Sequence, residues 1–357
     1  MNHLDNIAER LPDRNVEALL ITSESNEYYA VGFHGEGLVL ITTRGCFYYT
    51  DSRYTEAAAE AVTGCAVTTL SPGTTHLGLA ACQVHALGIT RLGFEEEAVS
   101  VAEHQRMQTA FGSEVSFIGC SALLRELRAA KDEGEIAVMR RAQDITDRAF
   151  EQILGYLKPG VTESEIAARL TYLMQAMGAQ RNSFDPIVAS GPNGSRPHAI
   201  PGPRQIQSGE LVTMDFGCVF EGYCSDMTRT VAVGEPTPDM RRAYETVLEA
   251  QLTGISMARA GVIGADVHNA AVAVLDKAGF AGKMGHGFGH SLGIDIHEDP
   301  GFRPATKSPM PAGAVVSTEP GIYLPGQFGI RIEDVVVLRE GCCEILTQSP
   351  KTELIVL

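Results

Sequence analysis

The chain has 357 residues, too long for one ordinary core and close to two domains at roughly 150 residues each. With 44% hydrophobic and 20% charged residues, its composition excludes a disordered or fibrous chain. Lys and Arg number 28 against 44 Asp and Glu, a formal charge of −16 that repels phosphate backbones and anionic lipid surfaces, so neither nucleic acid nor membrane is expected as a partner.

Residues 1–15 are charged and amphipathic, without the apolar core of a secretory leader, and no apolar run reaches the roughly 18 residues of a membrane span. The cytoplasm is the expected compartment. From residue 17, short β-type runs alternate with helical patterns. The runs are Ala18-Leu19-Leu20-Ile21, Leu38-Val39-Leu40-Ile41, Cys46-Phe47-Tyr48-Tyr49 and residues 66–70, and the helical patterns cover 53–62, 75–87 and 100–111. This alternation predicts a small α/β layer domain over 1–124, with a hairpin turn at Thr43-Arg44-Gly45. Around 123–149 the pattern becomes one long charged helix running on to Ile153, and the domain boundary is placed near Arg125. The eight cysteines contain no C-x-x-C pair and no zinc-knuckle spacing, so they are expected as reduced thiols. Adjacent Cys342-Cys343 is badly placed for a disulfide and reads as structural.

The second domain, 125–357, carries a weak internal repeat. Lys158-Pro159-Gly160-Val161 matches Arg259-Ala260-Gly261-Val262, each opening an apolar-periodic helix. Gly209-Glu210-Leu211-Val212-Thr213-Met214-Asp215 matches Gly313-Ala314-Val315-Val316-Ser317-Thr318-Glu319, and the two offsets, 101 and 104, nearly agree. Each half then ends in a strand with one carboxylate, Asp215 or Glu319, followed by a returning strand. A tight four-residue loop over 219–222 sets Asp215 opposite Asp226. After Glu319 the chain returns through Ile330-Arg331-Ile332-Glu333, where period two puts Arg331 and Glu333 on one face.

Four carboxylates gathered in sheet interiors repel one another and are costly unless cations neutralise them, so they point to divalent metals, with room for two ions sharing ligands. A nitrogen ligand is offered by His286-Gly287-Phe288-Gly289-His290, with His297 following. Three imidazoles among glycines let the backbone approach a bound group, and one of the three is expected as a ligand. Mostly oxygen donors with one nitrogen suit Mn²⁺, Co²⁺, Fe²⁺ or Zn²⁺. The turn-rich loop Ser190-Gly191-Pro192-Asn193-Gly194-Ser195-Arg196-Pro197-His198 reads either as an ordinary surface loop or as an active-site border whose His198 moves protons or steadies an oxyanion. Arg331 reads either as a clamp on the carboxylates or as a surface ion pair.

Asp215-Phe216-Gly217, Ser225-Asp226-Met227-Thr228-Arg229-Thr230, the His-Gly-x-Gly-His segment at 286–290, Thr318-Glu319-Pro320-Gly321 and Arg331-Ile332-Glu333-Asp334 together resemble the Xaa-Pro peptidases, aminopeptidase P and prolidase. These belong to the wider group of methionine aminopeptidase and creatinase. The resemblance covers 131–357 motif by motif, and the first 125 residues more loosely through Ser25-Asn26-Glu27-Tyr28-Tyr29-Ala30-Val31-Gly32-Phe33. It implies an α+β chain: a pita-bread catalytic domain with a pseudo-twofold repeat, preceded by a smaller creatinase-like α/β domain. It also implies metal ligands Asp215, Asp226, His290, Glu319 and Glu333, with Asp226 and Glu333 bridging. His198, His297 and Glu319 become catalytic residues, and His286 and Arg331 substrate-binding ones. The implied cofactor is two divalent ions, Mn²⁺ before Co²⁺ or Zn²⁺. The implied reaction is hydrolysis of an N-terminal Xaa-Pro bond by a hydroxide bridging the ions, in a homodimer acting on peptides with proline second. Dipeptide-only cleavage, a metal-free creatinase-type amidinohydrolase and a non-catalytic binding module are the alternatives, and the intact ligand set argues against the last two.

Overall fold

The computed structural model describes residues 3–357, so Met1 and Asn2 of the expected first domain lie outside the described residues. The chain divides into two compact units, with the change between Arg128 and Ala129.

The first unit is built on a six-stranded mixed sheet. Its strand order is Cys65–Thr69, Gly45–Thr50, Gly37–Thr42, Ala18–Ile21, Arg91–Phe94 and Ser116–Gly119. Ala18–Ile21 is central and buried at all four positions, which accounts for its unbroken apolar run. All four β-type runs of the sequence fall in this sheet, and Thr42 pairs with Gly45 across a two-residue turn at 43–44. Arg91–Phe94 and Ser116–Gly119 are four residues each and contain glycine, too short to show a period. Glu95, at the end of one of them, accepts from the backbone N–H of Ser23 at 2.9 Å and from Asn26 Nδ2 at 2.7 Å. It thereby satisfies donors at the start of helix Glu24–Val31.

The expectation of reduced thiols fails for one pair, because Cys46 and Cys65 form a disulfide. They are register partners on adjacent parallel strands with Cα atoms 4.5 Å apart. A crossover through helix Thr55–Ala61 brings together two residues that are 19 apart in sequence, and spacing rules do not see parallel pairing.

The single long helix expected over 123–153 is two helices, Ser121–Ala129 and Glu133–Ile153. Asp132 starts the second one. Its carboxylate accepts from Glu135 N at 2.8 Å, and Glu135 reciprocates on Asp132 N at 2.8 Å, a capping box hidden in a charged stretch.

The second unit is duplicated as the repeat implies. In each half a long helix, Glu133–Ile153 or Pro238–Met257, is followed by a shorter one, Glu163–Ala176 or Gly264–Leu275, and then by three antiparallel strands. Ser190 pairs with Val212 in the first half and Ser291 with Val316 in the second, so the offsets of 101 and 104 recur as structural equivalences. Strand Glu210–Phe216 is buried on both faces. Period two sends Val212, Met214 and Phe216 into the core of the first half, and Leu211 into that of the second. Thr213 and Asp215 share Leu211's face and reach Gly329 and Arg331 of the second half. The carboxylate therefore points at the seam between halves.

The first hairpin differs from expectation in register. Its loop is two residues, Glu221-Gly222, with φ of 42° and 75°, the left-handed pair that a tight hairpin turn requires. Phe220 pairs with Tyr223, and Asp215 consequently with Thr228, not Asp226. The slip is by two residues, so Asp226 keeps the face of Asp215 as a diagonal neighbour. In the second hairpin Thr318 pairs with Asp334 and Gly321 with Arg331, leaving Glu319 and Glu333 facing each other between the two ladders.

No helix among the described residues is long and apolar enough to cross a membrane. Strand Gly289–Ser291 runs so close to Val315–Thr318 that a Cβ on Gly289 would lie 1.8 Å from the Ser317 carbonyl oxygen. Gly289→Ala is expected to cost about 3 kcal/mol and to lower Tm by about 6–12 °C for a unit of this size. Gly155→Ala, where nothing lies within 4 Å, should leave Tm unchanged in the same melting experiment.

Candidate active site

The hairpins of the two halves converge on a cavity of about 550 Å³. Asp215, Asp226, His290, Glu319 and Glu333 line it, and so do His198, His286, His297 and Arg331. Every site residue singled out in the sequence therefore faces one space. The ligand atoms of Asp226, His290 and Glu333 all lie within 4.8 Å of one another. His290 Nε2 is 3.6 Å from Asp226 Oδ2 and 3.5 Å from Glu319 Oε1.

The electrostatics of this cluster are strained without a cation. Burial first, then Glu333, Asp215 and Glu319, push the Asp226 carboxyl well above the ordinary carboxylate range. Glu333 rises for the same reasons, burial ahead of Glu319 and Asp215. Glu319 is also raised by burial, which His286 and Arg331 partly offset. Asp215 Oδ1, Asp226 Oδ1 and Glu333 Oε1 are buried and have no hydrogen-bond partner. Buried oxygens left unpaired are rare in folded proteins. Three of them in one cavity, beside an imidazole, fit a divalent-metal donor set.

His290 is prepared for that role. Its Nδ1–H donates to the Ser291 carbonyl at 3.1 Å, which fixes the tautomer and turns the Nε2 lone pair toward the carboxylates. Burial lowers its pKa and keeps it in the neutral form that ligates.

Arg331 is buried, at 4% exposure, so it is not the surface ion pair that its spacing left open. Its guanidinium pairs with Asp215 Oδ2, and its Nε donates to Thr228 Oγ1 at 3.0 Å. Thr228 in turn donates to Glu333 Oε2 at 2.7 Å. One cation thus sets the rotamers of two carboxylates, each of which keeps one oxygen free. Arg331 also donates to Tyr323 Oη at 2.8 Å, and Tyr323 donates to His286 Nε2 at 2.9 Å. His286 completes the chain through Nδ1–H to the Gly287 carbonyl at 2.8 Å, and burial holds it neutral.

His198 and His297 are exposed at the cavity mouth. The His297 ring meets that of His290 edge-on, with centroids 4.4 Å apart. Its segment is tied down by the adjacent Glu298, which pairs with Lys131 at 3.0 Å with side chains only 7% and 1% exposed.

The sequence reading missed Thr228, Tyr323 and Lys131. Thr228 lies in a motif already singled out and shares the face of Asp226 by period two. Tyr323 becomes visible once Gly321 is paired with Arg331, because it lies two residues along on that face. Lys131 carried no local signal, since its partner is 167 residues away.

The profile of metallopeptidase family M24 matches residues 137–340, and that of the creatinase/prolidase N-terminal domain matches 3–130. An uncharacterized peptidase of Bacillus subtilis is 37% identical over 343 residues, 96% of each chain. An Xaa-Pro dipeptidase structure from Bacillus anthracis superposes with a TM-score of 0.95 at 36% identity, covering 99% of both chains. An X-Pro aminopeptidase structure from Thermotoga maritima gives 0.92 at 37%, covering 98% of this chain and 99% of that one.

Because folding raises the Asp226 and Glu333 carboxyls, their neutral forms favour the metal-free fold fully below the ordinary carboxylate range, and that contribution is lost as pH rises through the raised values. Metal-stripped protein should therefore melt lower at about pH 8 than at about pH 5, and Asp226→Asn should flatten that slope. A variant whose melting curve is as pH-dependent as wild type would contradict the repulsion.

Proposed function

The chain belongs to metallopeptidase family M24 with a creatinase/prolidase N-terminal domain, and from that premise we propose that it is an Xaa-Pro aminopeptidase, releasing the residue before proline from peptides. That it is a metallo-exopeptidase of the prolidase type with the pita-bread catalytic fold follows from the family and its solved neighbours. The observation that carries the site reading is the set of three buried, unpartnered carboxylate oxygens pointing into one cavity.

In this reading Asp215, Asp226, His290, Glu319 and Glu333 would hold two divalent ions. The oxygen-rich donor set favours Mn²⁺, with Co²⁺ or Zn²⁺ as substitutes. When bound, the ions supply Lewis acidity, which lowers the proton affinity of an attacking water and polarises the scissile carbonyl. Arg331 keeps Asp215 in place, and through Thr228 also Glu333, so the donor set is built before substrate arrives. His198 and His297, at the mouth, donate hydrogen bonds to the substrate carbonyl as it becomes an oxyanion, each such bond contributing roughly 3–4 kcal/mol. Glu319, held by Ser317 Oγ at 3.1 Å, passes the proton to the leaving nitrogen. His286, neutral and tied to Tyr323, forms a wall for the substrate.

Cleavage restricted to dipeptides is the second reading, and the Bacillus anthracis neighbour, an Xaa-Pro dipeptidase, favours it. Against it, Ile200 on the rim is 89% exposed, which leaves the mouth open to a longer chain. A homodimer completes the proposal, carried by the family resemblance.

Metal-stripped protein supplied with Mn²⁺, Co²⁺ or Zn²⁺ should cleave Xaa-Pro-Xaa peptides faster than Xaa-Pro and leave Met-Ala intact. Preference for Xaa-Pro would establish the dipeptidase, and cleavage of Met-Ala would overturn proline specificity. Glu319→Gln should lower kcat by about 100-fold or more with KM within a few-fold; an unchanged kcat would remove Glu319 from proton transfer.

A further inference from the structure

The loop that carries His198 leaves strand Ile187–Ser190 and returns toward strand Glu210–Phe216. His198 itself is exposed, so packing around its ring does not hold it. The loop is held instead from beneath, by a residue that neither the sequence motifs nor the metal cluster involves. Thr162 caps helix Glu163–Ala176 in a capping box with Glu165, which leaves the first helical residue, Glu163, free of capping duty. Its side chain turns inward, and the residue is 1% exposed.

Four donors converge on the Glu163 carboxylate, and all come from the His198 loop or its two ends. Oε1 accepts from Ser190 N at 2.8 Å and from Ser190 Oγ at 2.8 Å. Asn193 Nδ2 reaches both oxygens, at 3.1 and 3.0 Å. Gly202 N donates to Oε2 at 3.4 Å. The same helix end adds Glu163 N to the Arg204 carbonyl at 3.0 Å and Ser164 N to the Gly202 carbonyl at 3.1 Å. One buried anion thus bridges the loop before and after His198. Between these ties Ala199 packs on Ile187 and Ala189.

We propose that Glu163 is the positioning residue for His198: its carboxylate clamps the Ser190, Asn193 and Gly202 ends of the loop and so sets where the imidazole stands at the cavity mouth. The catalytic part of this rests on the Xaa-Pro peptidase reading, whereas the clamp itself does not. A carboxylate is favoured because the Ser190 and Gly202 N–H groups at the two ends can only donate. Glutamine of the same size would turn an N–H₂ toward Asn193 and Gly202, breaking the tie after His198 while keeping the Ser190 end.

Amide hydrogen exchange and kinetics on Glu163→Gln, His198→Ala and the double variant, all loaded with Mn²⁺, test this. Asn193→Ala serves as a second clamp variant that leaves Glu163 in place. Exchange should quicken in residues 191–202 of E163Q and N193A while strands Glu210–Phe216 and Met227–Val233 keep their protection and bound metal is unchanged. kcat/KM on an Xaa-Pro-Xaa peptide should fall about 10- to 100-fold in E163Q, the loss that a misplacement near 1 Å brings. In the His198→Ala background Glu163→Gln should remove less than about twofold more. Unaltered exchange over 191–202 in both clamp variants overturns the proposal whether or not the peptide is a substrate. So does a fully additive loss in the double variant, which would mean that Glu163 acts elsewhere. Failure of wild type to cleave any Xaa-Pro peptide would sink the enzymatic reading instead, and the exchange result would still decide the clamp.

Discussion

Asp215, Asp226, Glu319 and Glu333 share one cavity with the Arg331 guanidinium, and the mutual repulsion of those carboxylates is the constraint around which the second unit is organised. An apolar interior tolerates such a cluster only if hydrogen bonds fix it and cations neutralise it. Arg331 compensates only part of the charge, through Asp215 directly and Glu333 by way of Thr228. The rest remains as unpartnered oxygens and carboxyls pushed upward. Chemistry that needs concentrated positive charge is then available at a place where the fold has already gathered the ligands.

Duplication makes the gathering possible. Each half presents a hairpin whose one face packs on its own helices and whose other face looks at its twin, so each carboxylate pair is delivered to the seam by ordinary strand periodicity. The halves are not equivalent at their third strands. The register that equates Ser190 with Ser291 sets Ala189 in the place of His290. Only the second half therefore sets an imidazole beside the carboxylates, and the first half instead carries the loop with His198. Asp215 lies in a strand and Asp226, Glu319 and Glu333 in the short breaks between paired strands, while the two exposed histidines ride on loops pinned by buried carboxylates, Glu163 for one and Glu298 with Lys131 for the other.

What the sequence showed followed from short-range regularities. The four runs from Ala18 to Thr69 are strands because apolar and β-branched residues cluster there, and the 101 and 104 offsets survived because both halves keep one architecture. Period two placed Arg331 with Glu333, and Asp215 with Asp226, correctly by face. Quantities set by turn geometry or by distant partners were hidden. The loop after Phe220 is two residues because Glu221 adopts a left-handed conformation, a choice its identity does not announce. The break at 130–132 depends on a capping box embedded in charged residues that read equally well as helix. Cys46 meets Cys65 only through parallel pairing, and Tyr323 and Lys131 join the site by contacts with no local pattern. Proline preference lay outside every periodicity and entered through resemblance alone.

The central claim is that the four carboxylates of the two hairpins, together with His290, hold a pair of cations. Anomalous diffraction at the manganese edge from crystals grown with Mn²⁺ tests it most directly. Two peaks about 3.5–4 Å apart, ringed by Asp215, Asp226, His290, Glu319 and Glu333, are what the account requires. A map with no peak in that cavity at saturating Mn²⁺, or with its peaks on other residues, would contradict it.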